Sequence, residues 1–151
     1  MAADILGSSV LSSSELSTLA LRVREMSAQY EKEVPYFRTL VGLRAALAEE
    51  QMYYPQQCCQ IASRKVANAL GERFGVEEIA GYYTVGMMRH AWNYDVQRGL
   101  YIDLTLDQFY EGFPQVTLLP ATVHSLLRAN GSLTYMVRTR RILESREEYE
   151  D

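Results

Sequence analysis

Cysteine and histidine are scarce in this sequence of 151 residues, which contains two of each. The cysteines, Cys58 and Cys59, are adjacent, and a disulfide between neighbours would strain both the peptide and the disulfide torsion. They also lack the C-x-x-C spacing of zinc and redox sites, and the histidines, His90 and His124, lie far from them in sequence. We therefore expect neither a disulfide staple nor a metal site, and no cofactor.

The chain also lacks a basic excess and long apolar runs. Its formal net charge of −4 argues against nucleic acid as the main partner, because phosphate contacts need clustered Lys and Arg. No run approaches the roughly 20 apolar residues of a bilayer span, and segment 1–14 lacks the pattern of a secretory signal. We expect a cytoplasmic protein that binds no nucleic acid and no membrane. Delivery as an effector and the oligomeric state stay open.

Length and composition are typical of one globular domain. Hydrophobic residues make up 48% of the chain and charged residues 23%. A domain of this size buries roughly two thirds of the surface that its unfolded chain exposes, which supports a core without a staple. We predict a single domain over 1–151, with a helical part at 12–73, a sheet-containing part at 76–142 and a solvated acidic tail at 144–151.

Apolar residues at helical spacing predict three helices, over 12–30, 36–50 and 58–73. A capping-box pattern, Ser12 to Glu15, begins the first helix. Pro35 precedes the second helix, and Gly75 ends the third.

After Gly75 the pattern changes from helical to extended. The β-prone segments 79–85, 87–96 and 100–104 predict an antiparallel meander. Further strands are expected near 116–119 and 133–142, on either side of a helix over 121–129. Because helices precede the sheet, the predicted class is α+β, with N-terminal helices packed on an antiparallel sheet.

Cys59 and His90 are candidates for a nucleophile and its base. Cys59 is predicted in the first turn of the third helix, where unpaired backbone N–H groups and the positive end of the helix dipole favour thiolate. The same N–H groups offer donors to an oxyanion. His90 lies early in a predicted strand, so the sheet fixes its direction. His124 lies on a predicted amphipathic helix and is expected to be structural.

Asp103 is the leading acceptor for the imidazole of His90. If the hairpin turn is centred on 97–98, Trp92 faces Asp103, and Asp103 becomes the same-face diagonal neighbour of His90 at roughly 7 Å between Cβ atoms. A one-residue shift, such as a bulge at Gly99, would send Asp103 to the opposite face. The candidate triad therefore depends on the hairpin register.

Three motifs occur in order between Gln57 and Phe109. They are C-x-x-A-S from Cys59, H-x-W from His90 and D-x-T-x-D-Q-F from Asp103. Together they resemble the core of the transglutaminase-like and papain-like cysteine enzyme superfamily, and more narrowly small bacterial and phage proteins with these motifs. The resemblance implies a papain-like core, a triad of Cys59, His90 and Asp103, and thiol-dependent acyl transfer on a protein or peptide amide. The reaction would be hydrolysis, glutamine deamidation or crosslinking.

Two assignments around the nucleophile stay open. Cys58 is an alternative nucleophile, because a broader transglutaminase pattern with Ala four residues after Cys matches Cys58 and Ala62. Gln57 or Gln56 resembles the glutamine that donates to the oxyanion in papain-like enzymes, although the usual glycine beside the nucleophile is missing.

Trp92 and Tyr54 are candidates for the wall of the substrate groove, and a plain core position suits Trp92 equally well. The alternative function is a non-catalytic binding or adaptor domain that keeps the papain-like fold and presents helices within 14–50 to a partner. Thiol reactivity separates the two classes.

Overall fold

The computed structural model describes residues 12–83, 88–121 and 135–140. Within these ranges, three helices are followed by a five-stranded antiparallel sheet. The helix-first order and the α+β class predicted from the sequence are confirmed. The predicted helix over 121–129, with His124, and the acidic tail at 144–151 lie outside the described residues.

Each predicted helix before Gly75 is present in the structure. The helices are α1 (Ser13–Glu31), α2 (Phe37–Glu50) and α3 (Cys59–Phe74). The strands are β1 (Val76–Tyr83), β2 (Met88–Asp95), β3 (Leu100–Asp103), β4 (Thr117–Pro120) and β5 (Tyr135–Arg140), and a short 3-10 turn (Leu106–Gln108) follows β3. Their order in the sheet is β4-β3-β2-β1-β5, so β1, β2 and β3 form the predicted meander, β4 extends it at the β3 edge, and β5 pairs with β1.

Local signals set two of the helix ends. The Ser12 hydroxyl accepts a hydrogen bond from the Glu15 N–H at 3.2 Å, and the Ser12 N–H donates to the Glu15 carboxylate at 2.8 Å. At the other end of the helical part, Gly75 follows α3 with φ of 70°, the left-handed conformation in which glycine ends helices at little cost.

Gly75 and Gly42 are expected to respond to alanine in opposite directions. Gly75→Ala forces a Cβ into positive φ, which lowers the free energy of unfolding by about 1 kcal/mol. Gly42 is exposed within α2, and an added Cβ there meets nothing within 4 Å. Gly42→Ala therefore raises the free energy of unfolding by roughly 0.5 to 1 kcal/mol. Urea unfolding of both variants measures the contrast. Changes of the same sign would contradict this account of the helix end.

The helices pack on both faces of the sheet. Because strand side chains alternate, Tyr101 and Leu119 point to the face covered by α1. Ile102 and Leu118 point to the opposite face, which is covered by α2 and α3. Each face therefore has its own apolar core, and the sheet lies between them.

The hairpin between β2 and β3 has the predicted register. Its paired residues are Asn93 with Ile102, Tyr94 with Tyr101 and Asp95 with Leu100. Continued by one step, this register sets Trp92 opposite Asp103, which makes Asp103 the diagonal neighbour of His90. Gly99 has φ of 64° but causes no shift.

Asp95 fixes the turn that sets this register. Its buried carboxylate accepts hydrogen bonds from the Arg98 N–H at 3.1 Å and from the Tyr36 hydroxyl at 2.5 Å. Burial and the bond to Asp95 raise the pKa of Tyr36, so this hydroxyl keeps its proton and remains the donor. Tyr36, the residue that precedes α2, thus stabilises the hairpin turn through its hydrogen bond to Asp95.

Candidate active site

The imidazole of His90 meets the carboxylate of Asp103 where β3 ends. The distance from His90 Nε2 to Asp103 Oδ2 is 2.6 Å, and the two side chains are 0% and 1% exposed. His90 lies beyond the paired residues of β2 and β3, at the predicted diagonal position. Since the carboxylate occupies Nε2, a thiol would pair with Nδ1, which also contacts the Gln108 amide nitrogen at 3.3 Å.

Thr105 holds the Asp103 carboxylate in place. The Thr105 N–H donates to Asp103 Oδ1 at 2.8 Å, and the Thr105 hydroxyl approaches the same oxygen at 3.3 Å. Both oxygens of the buried carboxylate are therefore hydrogen-bonded, Oδ1 by Thr105 and Oδ2 by His90. Asp103 is thereby directed at the imidazole.

Cys59 is the first residue of α3 and is partly exposed. Unlike α1, which begins with a capping box, α3 has no side-chain cap and no acidic residue in its first turn, within the chain as described. The first N–H groups of a helix have no partner inside the helix, so they and the dipole favour an anion at this position. The start of α3 therefore suits a thiolate and an oxyanion.

The structure brings Cys59, His90 and Asp103 together. Burial by itself lowers the pKa of His90. The charge and hydrogen bond of Asp103, together with a hydrogen bond and charge from Cys59, outweigh burial and raise the pKa of His90 to about 9. Both partners therefore favour the imidazolium, which is the form that pairs with a thiolate.

Cys58, the alternative nucleophile, is 5% exposed and lies in the interior. Burial, and the charge of Cys59 beside it, raise the pKa of the Cys58 thiol. Low exposure and resistance to ionisation both disfavour nucleophilic attack by Cys58. Cys59, which is partly exposed, is the better candidate.

Aromatic rings enclose the imidazole. Trp92 stacks on His90 with ring centroids 5.6 Å apart and an interplanar angle of 19°. Phe109 meets His90 edge-on at 5.0 Å. Trp92 is 1% exposed and belongs to the core on the α1 face, so of its two predicted positions the structure has the core position, from which it packs on the histidine.

Arg44 of α2 binds the segment that follows β3. Its guanidinium makes two hydrogen bonds of 2.8 Å to the two carboxylate oxygens of Asp107, and one of 2.8 Å to the Leu104 carbonyl. The Tyr54 hydroxyl donates to the same carbonyl, and the Arg44 guanidinium lies 4.5 Å from the centroid of the Tyr54 ring. Tyr54, predicted as a groove wall, therefore ties the loop before α3 to the loop after β3.

The two glutamines before the cysteines differ in their surroundings. Gln56 Nε2 donates to the Gln108 carbonyl at 2.9 Å, which connects the segment before α3 to the 3-10 turn. Gln57 is exposed and has φ of 60°, a left-handed conformation that is uncommon outside glycine. The oxyanion role stays a prediction for both residues.

Asn93 sets the position of α3 relative to the sheet. Its buried side-chain amide donates to the Ser63 carbonyl in α3 at 2.9 Å and to the Glu77 carbonyl in β1 at 3.3 Å. Asn93 is three residues beyond His90, and Ser63 is one turn beyond Cys59. These bonds therefore fix the helix that carries Cys59 over the strand that carries His90.

Sequence reasoning missed the roles of Arg44, Thr105 and Gln108. Thr105 and Gln108 stand in the D-x-T-x-D-Q-F motif, so the motif was their signal, but it did not say what they contact. For Arg44 the only signal was Asp107, an acidic residue in a mostly apolar segment that needs a cation if it is buried.

A comparison of the chain with protein-family models, with curated proteins and with solved structures found no match. Among residues 12–83, 88–121 and 135–140, no group of three or more His, Cys, Asp or Glu side chains is arranged to hold a metal ion. In the same part of the chain, no helix combines the length and the apolar character that a membrane crossing requires.

Proposed function

We propose that the protein is a cysteine enzyme that transfers the acyl group of a protein or peptide amide through Cys59. The observation that carries this proposal is the position of His90, which is bonded to Asp103 through Nε2 at 2.6 Å and whose pKa Cys59 raises through a hydrogen bond and its charge. Thiol-dependent acyl transfer uses three groups in this arrangement: a nucleophile, a base and a group that orients the base. The resemblance to transglutaminase-like and papain-like enzymes agrees with this reaction.

In the first half of the reaction, the Cys59 thiolate attacks the amide carbonyl carbon. The N–H groups at the start of α3 stabilise the resulting oxyanion, since no side chain caps them within the described residues. His90 Nδ1 then gives its proton to the departing nitrogen, because Nε2 is bonded to Asp103. The carbon–nitrogen bond breaks, and a thioester remains on Cys59.

In the second half, neutral His90 accepts a proton from water at Nδ1, and the water attacks the thioester. The acid is released, and thiolate and imidazolium are restored. If the departing nitrogen belongs to a glutamine side chain, the product is glutamate and ammonia. If it belongs to a peptide bond, the chain is cleaved, and if an amine replaces water, two chains are crosslinked.

Alkylation by iodoacetamide at pH 6 tests the proposal. An ordinary thiol is almost entirely protonated at this pH, whereas the proposed reaction requires a Cys59 thiolate paired with imidazolium, so we expect Cys59 to react about 10- to 100-fold faster than a model thiol. His90→Ala should return the rate to that of the model thiol. Mass spectrometry of the alkylated peptide assigns the modified cysteine.

Cys58→Ser and Cys59→Ser are the matched controls. Cys58→Ser should keep the fast rate, and Cys59→Ser should lose it, because Cys58 is buried. A fast rate at Cys58 would move the nucleophile by one residue. Ordinary rates at both thiols would overturn the catalytic proposal and leave the non-catalytic binding domain as the better description.

A further inference from the structure

Four side chains form a closed ring of hydrogen bonds around the imidazole. Asp103 Oδ2 contacts His90 Nε2 at 2.6 Å, and His90 Nδ1 contacts Gln108 Nε2 at 3.3 Å. Gln108 Nε2 also contacts the Thr105 hydroxyl at 3.3 Å, and that hydroxyl contacts Asp103 Oδ1 at 3.3 Å. Gln108 is thus the ring member that faces the nitrogen needed by the thiol.

The number of available protons determines the direction of these bonds. An ionised Asp103 only accepts, so the single hydroxyl proton of Thr105 is donated to Asp103. The Thr105 oxygen must then accept from Gln108, which requires the amide nitrogen, not the amide oxygen, on that side. The second N–H of the same nitrogen points to His90 Nδ1, which accepts it only as an unprotonated nitrogen.

We propose that Gln108 is a positioning residue that donates its amide N–H to His90 Nδ1 and stabilises the neutral imidazole. The inference rests on the proposed function, in which His90 must be protonated for the first half of the reaction and neutral for the second. Asp103 and Cys59 both favour the imidazolium. Gln108 opposes them, so the ring can also reach the form that takes a proton from water.

The environment of Gln108 suits a fixed donor. Its carbonyl accepts from Gln56, and the adjacent Asp107 is held by Arg44. The turn is therefore restrained on both sides of the loop, and the amide is presented to His90 in one place. This restraint distinguishes Gln108 from an exposed glutamine that reorients freely.

Among the described residues, two charged groups act on the protonation of His90. Asp103 faces it from β3 and Cys59 from α3. Asp107 is paired with Arg44, and Tyr54, whose pKa is raised mainly by burial, keeps its proton. A change at Gln108 therefore leaves Asp103, the Arg44–Asp107 pair and Tyr54 in place around His90.

The titration of His90, followed by nitrogen-15 NMR, tests the proposal in a Cys59→Ala chain, which removes the thiolate. The chain has two histidines, so a His124→Gln variant assigns the signals. Adding Gln108→Leu should raise the midpoint at which His90 loses its proton by about half to one pH unit, the effect of one lost hydrogen bond to the neutral form. An unchanged or lower midpoint would overturn the proposal, and a lower one would mean that the amide oxygen faces Nδ1.

Thr105 provides a second, independent comparison. Thr105→Val removes the oxygen that orients the amide, so it should raise the midpoint in the same direction as Gln108→Leu, whereas Thr105→Ser keeps the hydroxyl and should restore the parent value. If Gln108→Leu does not fold, the comparison of Thr105→Val with Thr105→Ser tests the proposal by itself. Equal midpoints of the His90 titration in these two variants would overturn it. The measurement needs no thiol and no substrate. The role of Gln108 can therefore be supported when the catalytic proposal fails, and it can fail when the catalytic proposal is supported.

Discussion

Replacing Arg44 with methionine is expected to lower the free energy of unfolding by about 2 to 4 kcal/mol, between the cost of breaking a surface ion pair and that of breaking a fully buried one. Arg44 and Asp107 are only 12% and 10% exposed, and their guanidinium and carboxylate are joined by two bonds of 2.8 Å. The variant also removes a donor from the Leu104 carbonyl. Methionine preserves much of the packing volume, so the loss reports the polar contacts.

Urea unfolding measures this loss, and a double-mutant cycle isolates the pair. Arg44→Met combined with Asp107→Leu should recover part of the stability, since no charge is left buried without its partner. Arg38→Met is the matched control, because Arg38 is exposed on the same helix and should change stability by no more than about 0.5 kcal/mol. A loss below about 1 kcal/mol for Arg44→Met, typical of a surface pair, would contradict a stabilising role for the Arg44–Asp107 ion pair.

The relation between His90 and Asp103 could be predicted because it depends on local features. A short turn joins β2 and β3, and side chains alternate along a strand, so the turn alone sets which residue faces Trp92. The start of α3 was equally local, since the apolar spacing and Gly75 define the helix on which Cys59 is the first residue. All three candidate positions thus followed from two segments of fewer than about 20 residues each.

The surroundings of the site could not be predicted because they depend on contacts between distant segments. Arg44 and Asp107 are 63 residues apart, and a lone arginine on an amphipathic helix is usually solvated. Alternation placed Trp92 beside His90, but nothing in the sequence decided between groove wall and core, because that depends on α1 covering this face of the sheet. Tyr54 likewise depends on a carbonyl that lies 50 residues later.

The contact between His90 and Asp103 should make the protein less stable at alkaline pH. The ordinary pKa of a histidine is 6.5, and in the folded protein the pKa of His90 is raised to about 9. Because the folded state binds this proton more tightly than the unfolded state, the stabilisation is complete below pH 6.5 and is lost as the pH rises to about 9. A difference of this size corresponds to about 3 kcal/mol.

Urea unfolding between pH 6 and 9.5, compared for the parent chain and Asp103→Asn, measures this contribution. The parent should lose about 3 kcal/mol more than the variant over this range, because without the carboxylate the proton on His90 has lost its main support. Asp107→Asn is the control. Its partner Arg44 does not titrate in this range, so the difference in free energy of unfolding between Asp107→Asn and the parent should stay constant with pH. Parallel pH profiles for the parent and Asp103→Asn would mean that His90 is not held as an imidazolium by Asp103, and the thiolate pair proposed for Cys59 would lose its physical basis.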